Sequence, residues 1–206
     1  MHNGRMPLLT SAVVLPGTLA SSPQPTLATD GLTLRPWTHD DADALVAAYA
    51  DPTISYWHVR TMADRDEAVA WVDERRTRWA REVGADFAVA DGPVLVGRVA
   101  VQHLNLHEGV AELAYWVLPS ARRQGVARRA VGEAVRWASD DVGFVRLELE
   151  HSTLNEPSCR VARTLGFELE GVRRAHYLQP DGRHDTHLHA LLAPGAGSVR
   201  TPGSAT

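Results

Sequence analysis

The chain is 206 residues long, 44% hydrophobic and 22% charged, with 21 Lys and Arg against 25 Asp and Glu and a formal net charge of -4. That suits one globular domain with room for tails, leaves too little chain for two full domains, and lacks the basic footprint of a nucleic-acid binder. The single cysteine, Cys159, excludes an internal disulfide framework and a zinc site built on paired thiolates, and it fits a reducing cytoplasm.

Near the start, Arg5 precedes Leu8, Leu9 and Ala12 to Leu15, but Pro7, Pro16 and Gly17 interrupt the run. It is neither a compact signal-peptide core nor the roughly 20 apolar residues of a membrane span. Gly17 to Asp30 is rich in Ser, Pro, Thr and Ala, and Pro194 to Thr206 in Gly, Ser and Pro. Both compositions predict loose order, giving a flexible extension over residues 1–29, a domain over 30–193 and a flexible tail over 194–206.

Within the domain, Leu32 and Leu34 alternate with Thr33 and Arg35, a short strand stopped at Pro36. Thr38 with Asp41 resembles a helix cap, and Ala42, Leu45, Val46 and Tyr49 follow at helical spacing until Pro52. A second helix is predicted from about Asp64 to Glu82, with Ala68, Val69, Val72 and Trp79 on one stripe. Phe87 and Val89 and the run Val94 to Val101 flank Asp91-Gly92-Pro93 as a hairpin.

Val110 to Val117 is the next strand, followed by the loop Leu118-Pro119-Ser120-Ala121-Arg122-Arg123-Gln124-Gly125 and a helix with Val126, Ala127, Ala130, Val131, Ala134 and Ala138 on one face. Val145, Leu147 and Leu149 mark a half-buried strand, and Asn155-Glu156-Pro157 opens a short helix that Gly166 ends. Phe167 to Leu178 and Asp185 to Leu192 form a last hairpin around Pro180-Asp181-Gly182. The predicted order is strand, two helices, three strands, helix, strand, helix, two strands.

The unit of strand, basic glycine loop and helix carries the chemistry. A helix start presents unpaired N–H groups and partial positive charge, Arg122 and Arg123 add cations, and Gly125 and Ala127 allow close approach of a pyrophosphate. The Gly-x-x-x-x-Gly-Lys-Ser/Thr loop and the three-glycine dinucleotide fingerprint are both missing.

Arg122-Arg123-Gln124-Gly125-Val126-Ala127, following Tyr115-Trp116-Val117-Leu118-Pro119, resembles the acyl-CoA-binding motif of the GNAT acetyltransferase superfamily, and Asn155-Glu156-Pro157-Ser158 with Leu165-Gly166-Phe167 resembles its second half. Leu34 to Trp37, Asn155-x-x-Ser158 and Asp181-Gly182-Arg183 with Asp185 resemble the Rim-type branch, named for acetylation of ribosomal-protein N-termini. The resemblance implies an α/β (α+β) fold: a strongly twisted mixed sheet with helices on both faces and central strands splayed to admit CoA. It implies acetyl-CoA as co-substrate, with Val117 and Leu118 supplying backbone groups to the pantetheine and thioester. Arg122, Arg123, Gln124, Gly125, Val126 and Ala127 would hold the pyrophosphate, and Asn155 and Ser158 would contact the CoA arm.

An amine attacks a thioester only when neutral, so a base must remove a proton and an acid must meet the departing thiolate. Glu112, a carboxylate in an otherwise apolar strand, is the predicted base; pairing with an arginine at the sheet surface is the alternative. Ser158 is the candidate acid, because the position where many superfamily members carry a tyrosine is Ala162 here. Cys159 reads as a buried small hydrophobe rather than a nucleophile. His184, His187 and His189 suit an acceptor mouth or solvent better than a metal, so none is expected. Tyr56 and Trp57 fall where the family's acceptor site forms, with core packing as the alternative.

The expected reaction is N-acetylation of a peptide or protein α-amine by direct attack in a ternary complex. A small-molecule amine such as an antibiotic is a second acceptor class, and a non-catalytic acyl-CoA-binding module is the rival from another class. The negative charge favours a cationic acceptor. No nucleic-acid or membrane partner is expected, and a homodimer is compatible with the sequence.

Overall fold

The computed structural model describes residues 10–194 and residue 196. Its eight strands are β1 (Leu27–Thr29), β2 (Leu32–Pro36), β3 (Gly84–Asp91), β4 (Val94–Asn105), β5 (Val110–Val117), β6 (Arg146–Ser152), β7 (Glu168–Gln179) and β8 (Gly182–Leu192). Five helices join them: α1 (Ala42–Ala50), α2 (Pro52–His58), α3 (Arg65–Ala80), α4 (Val126–Arg136) and α5 (Glu156–Thr164). The sheet order is β1-β2-β3-β4-β5-β6-β8-β7, antiparallel except for the β5–β6 pair. A parallel neighbour requires a crossover, and α4 supplies it.

Both faces of the sheet are covered. Leu34, Phe87, Val99, Leu113, Leu147 and Leu149 pack with Val131 and Ala134 of α4 on one face. Trp37, Trp71 and Trp116 pack with Leu45 and Tyr49 on the other. The period-two alternation of Phe87 and Ala88, or of Leu113 and Trp116, distributes side chains between these layers. Beneath the aromatic layer lies a buried ion pair: Asp86 accepts from Arg98 Nε at 2.8 Å and from Trp37 Nε1 at 2.9 Å. The opposed carboxylate raises the Arg98 pKa against the cost of its burial.

Two elements escaped the sequence reading. β1 is only three residues long, below the length at which alternation is visible. α2 carries Tyr56 and Trp57, the residues expected near the acceptor site, between the two helices that the periodicity predicts. Its start follows ordinary capping rules, with Asp51 accepting from the Thr53 and Ile54 N–H groups and Pro52 in the first turn.

Residues 10–29 depart from the expected loose extension. Val14 and Leu19 are each 2% exposed, in the same core as Leu34. The backbone bonds Leu106 O through Val14 N at 2.9 Å, and Glu82 accepts from Gly17 N at 2.6 Å and Leu19 N at 2.7 Å. Polar composition concealed two apolar anchors and a carboxylate that satisfies the turn between them. Residues 1–9 of the expected extension, and residues 195 and 197–206 of the expected tail, lie outside the described residues. Among the described residues no helix is long and apolar enough to cross a membrane.

Candidate active site

β5 and β6 pair only from Val110↔Arg146 to Leu113↔Leu149, and then separate. On its other edge β5 stays paired with β4 as far as Gly97↔Val117, and Leu118 N–H donates to Val96 O at 2.9 Å. Antiparallel alternation from that bond turns the backbone groups of Tyr115 and Val117 away from β4 and into the gap. His58, at the end of α2, donates from Nε2 to Tyr115 O at 3.1 Å across this gap. Burial, with Arg98 nearby, lowers the His58 pKa to about 4, so the ring is neutral.

The gap opens into two clefts. The larger, about 620 Å³, runs along the Val117 backbone, Arg122, Arg123, Gly125, Val126 and Ala127 to the first turns of α5. Gly125 is the N-cap of α4 and takes φ 74°, while Arg123 takes φ 62°, so the loop enters the helix through two left-handed residues, and the first turn of α4 starts with N–H groups that have no intrahelical partner. Arg122 is partly occupied: its Nε donates to Val117 O at 3.1 Å and its Nη2 to Thr53 Oγ1 at 2.8 Å, which locks the loop to α2. Leu118 and Gln124 do not line the cleft. Leu118 spends its N–H on Val96 and packs toward the aromatic layer, and Gln124 Nε2 donates back to Ser120 O at 2.9 Å.

The second cleft, about 350 Å³, lies among β4, β5, β6 and β7 and holds Glu112. Glu112 accepts from Gln102 Nε2 at 3.0 Å and from His103 Nδ1 at 2.9 Å. A bulge between Gln102 and Asn105, with His103 at φ 51°, brings that ring onto the carboxylate. The arginine pairing considered from sequence is therefore not what Glu112 makes. Glu150, which the sequence reading passed over, is a second carboxylate here, held by Arg173 Nη1 at 2.9 Å and by the Thr186 hydroxyl. Burial raises the Tyr177 pKa, and the nearby Glu112 and Glu150 charges add to the shift.

The two clefts share Trp57, His58, Tyr115, Asn155 and Ser158. At this junction Tyr115 Oη and Ser158 Oγ are 3.0 Å apart, and burial pushes the Tyr115 phenol up to about 12. Asn155 caps α5 through its side-chain oxygen, which accepts from Ser158 N at 3.3 Å. In the sequence Tyr115 belongs to the strand that leads into the glycine loop, and nothing in its spacing reveals a partner 43 positions away. Trp57 faces both clefts, and Tyr56 packs edge-on against it at 4.8 Å, with the His184 ring 6.4 Å from Tyr56.

The histidines predicted as one group separate. His184 binds Ser152 Oγ at 2.8 Å and Asp181 Oδ1 at 3.0 Å. His187 and His189 instead join His151 and Cys159 beneath α5.

The sequence matches the Acetyltransferase (GNAT) domain family over residues 31–168. The N-acetyltransferase YoaA of Bacillus subtilis (strain 168), itself uncharacterized, is 26% identical over 173 residues, covering 82% of this chain and 98% of its own. Among solved structures, the ribosomal-protein-S5-alanine acetyltransferase from Vibrio fischeri is similar at TM-score 0.76 and 15% identity, over 84% of this chain and 99% of that one. Mycobacterium smegmatis RimJ in complex with CoA-disulfide is similar at TM-score 0.74 and 20% identity, over 82% and 86%. With the splayed β5–β6 pair, the glycine loop at α4 and the match over more than half its length, the chain belongs to the GNAT family of acetyltransferases.

Proposed function

We propose that the protein transfers an acetyl group from acetyl-CoA to the α-amine of a peptide or protein, by direct attack in a ternary complex. The observation that carries this reading is the junction itself: a cleft with a cationic helix-start loop meets a cleft with carboxylates at Tyr115 and Ser158. Arg123 and the N–H groups of the α4 start take the pyrophosphate, and the Asn155 amide meets the pantetheine arm while its oxygen caps α5. The thioester carbonyl then lies against the Val117 N–H.

The acceptor enters as an ammonium ion, which the Glu112 and Glu150 carboxylates attract. Glu112 takes one proton through water, the neutral nitrogen attacks the thioester carbon, and the Val117 N–H supports the oxyanion. Collapse breaks the carbon–sulfur bond. The thiolate takes a proton from Ser158 Oγ, Tyr115 Oη resupplies Ser158, and the second proton shed by the former amine nitrogen returns through water to Tyr115, whose burial favours the protonated phenol. The Rim-type neighbours favour a protein α-amine as acceptor. A small amine fits the same chemistry, and peptide and amine panels separate the two.

The test is release of free CoA thiol from the full chain with acetyl-CoA and these panels. Acceptor-dependent release with peptides supports the reading, release with small amines alone moves the substrate class, and tight acetyl-CoA binding without release identifies a binding module. Arg123→Glu should weaken acetyl-CoA affinity by roughly tenfold, a factor corresponding to about 1.4 kcal/mol. Unchanged affinity removes the loop from phosphate binding.

A further inference from the structure

We propose that His151, Cys159, His187 and His189 form a closed tetrahedral site for a zinc-class divalent cation, which staples α5 to β6 and β8. The topology assembles the set. His151 of β6 stands opposite His187 of β8, His189 lies two residues further along β8 on the same face, and Cys159 descends from α5. One ligand atom from each of the four lies within 4.8 Å of all the others.

These side chains are poorly explained as core packing. His151 is 5% exposed, Cys159 2% and His189 0%. His151 Nε2 and His187 Nδ1 are buried without a hydrogen-bond partner among the described residues. A buried imidazole nitrogen without a partner costs free energy that native cores avoid, so two of them side by side call for a ligand. The orientations suit ligation. His151 donates from Nδ1 to Ser152 O at 2.8 Å, leaving the Nε2 lone pair turned inward, the arrangement that fixes a ligating tautomer. His189 Nε2 lies 3.8 Å from Cys159 Sγ.

Zinc bonds of about 2.0–2.1 Å to nitrogen and 2.3 Å to sulfur place tetrahedral ligands roughly 3.3–3.7 Å apart, so small side-chain rotations close the cluster. A bridging water can satisfy two of the nitrogens but has little use for the thiol. One thiolate and three imidazoles match a borderline-soft ion and disfavour magnesium or calcium. On binding, the Cys159 S–H proton goes to solvent and a metal–sulfur bond forms; no electron moves. With all four positions supplied by the chain, the ion holds structure rather than activating water. Cys159 directly follows Ser158, so the staple fixes the first turns of α5 and with them the Tyr115–Ser158 pair.

The sequence groups His184, His187 and His189 on the last hairpin, a set without cysteine support for a metal. The fold withdraws His184 to Ser152 and Asp181 and brings in His151 and Cys159. The test is titration of the full, untagged, reduced chain, stripped by chelation, with Co²⁺ as the probe. One Co²⁺ per chain, with strong tetrahedral visible bands, a near-ultraviolet thiolate band and displacement by Zn²⁺, is expected.

Cys159→Ser should abolish the thiolate band. The partly exposed His187, as His187→Gln, should weaken binding roughly tenfold or more in a chain whose circular dichroism is unchanged. His39→Gln, remote from the cluster, should bind like the parent. Substoichiometric uptake with weak octahedral bands, or equal binding by the parent, Cys159→Ser and His187→Gln, overturns the proposal. These readouts do not depend on acetyl transfer, so they stand or fall separately from the proposed function.

Discussion

Glu112 was legible because a carboxylate in an apolar strand calls for an explanation; its partners were not, since they arise from a bulge that moves His103. In the proposed mechanism, replacing the carboxylate removes the base but leaves both hydrogen-bond donors near an amide. Glu112→Gln should therefore lower kcat by roughly 10²–10⁴-fold, with little change in KM for acetyl-CoA, in steady-state thiol-release assays. An equal loss in kcat and acetyl-CoA affinity would make Glu112 a positioning residue.

Tyr115 illustrates the opposite case. Its hydroxyl acquires meaning only when the strand and α5 meet and Ser158 comes within 3.0 Å of it, whereas Ala162 is buried in the core and lines neither cleft. Ser158→Ala and Tyr115→Phe should each reduce kcat, and the double variant should lose little beyond the worse single, because the proposed mechanism uses the two bonded hydroxyls as one relay. Additive losses would mean that they act independently.

Among the elements, the supersecondary order was readable because each long element has a clear period and a turn or cap at its ends. The glycine loop and the Asn155 cap were found at their proper places for that reason. What was hidden depended on neighbours: the three-residue β1, the short α2, and the point at which β5 leaves β6. The β4–β5 pairing beside that point is close. A Cβ on Gly97 would come within 2.6 Å of Trp116 O, a backbone atom that cannot swing aside. Gly97→Ala should push β4 from β5, shift Val117 in the cleft and weaken acetyl-CoA binding while lowering the melting temperature. Wild-type affinity measured by calorimetry would show that the strands accommodate the methyl group.

At the scale of the whole molecule, the N-terminal segment contradicts the composition argument most directly. Ser and Pro mark residues 17–30 as a poor core former, yet Val14 and Leu19 need only a pre-existing apolar surface, and the folded domain provides one. Leu19→Ala should destabilise the protein by about 2–5 kcal/mol in chemical denaturation, the range for truncating a buried leucine; a change below 0.5 kcal/mol, the scale of ordinary surface substitutions, would return the segment to the role of a loose tail.

Stability should also respond to acid through His58. Above its ordinary value of 6.5 the ring is neutral in both states and contributes nothing. Between 6.5 and about 4 the unfolded chain binds a proton that the folded chain does not, so stability falls as pH falls, by at most about 1.4 kcal/mol per unit. His58→Gln should flatten that slope in urea titrations; an unchanged slope would assign it to other groups.

The central claim is acetylation of a peptide α-amine at the junction of the two clefts, and product mass spectrometry tests it most directly. The full chain and Glu112→Gln are incubated with acetyl-CoA and a library of peptides with free N-termini, and fragment ions locate the added acetyl group. The prediction is one acetyl group on the α-nitrogen of selected peptides, formed by the parent and nearly lost in Glu112→Gln. Acetylation confined to lysine side chains, equal product from both proteins, or no acetylated peptide despite bound acetyl-CoA would contradict it.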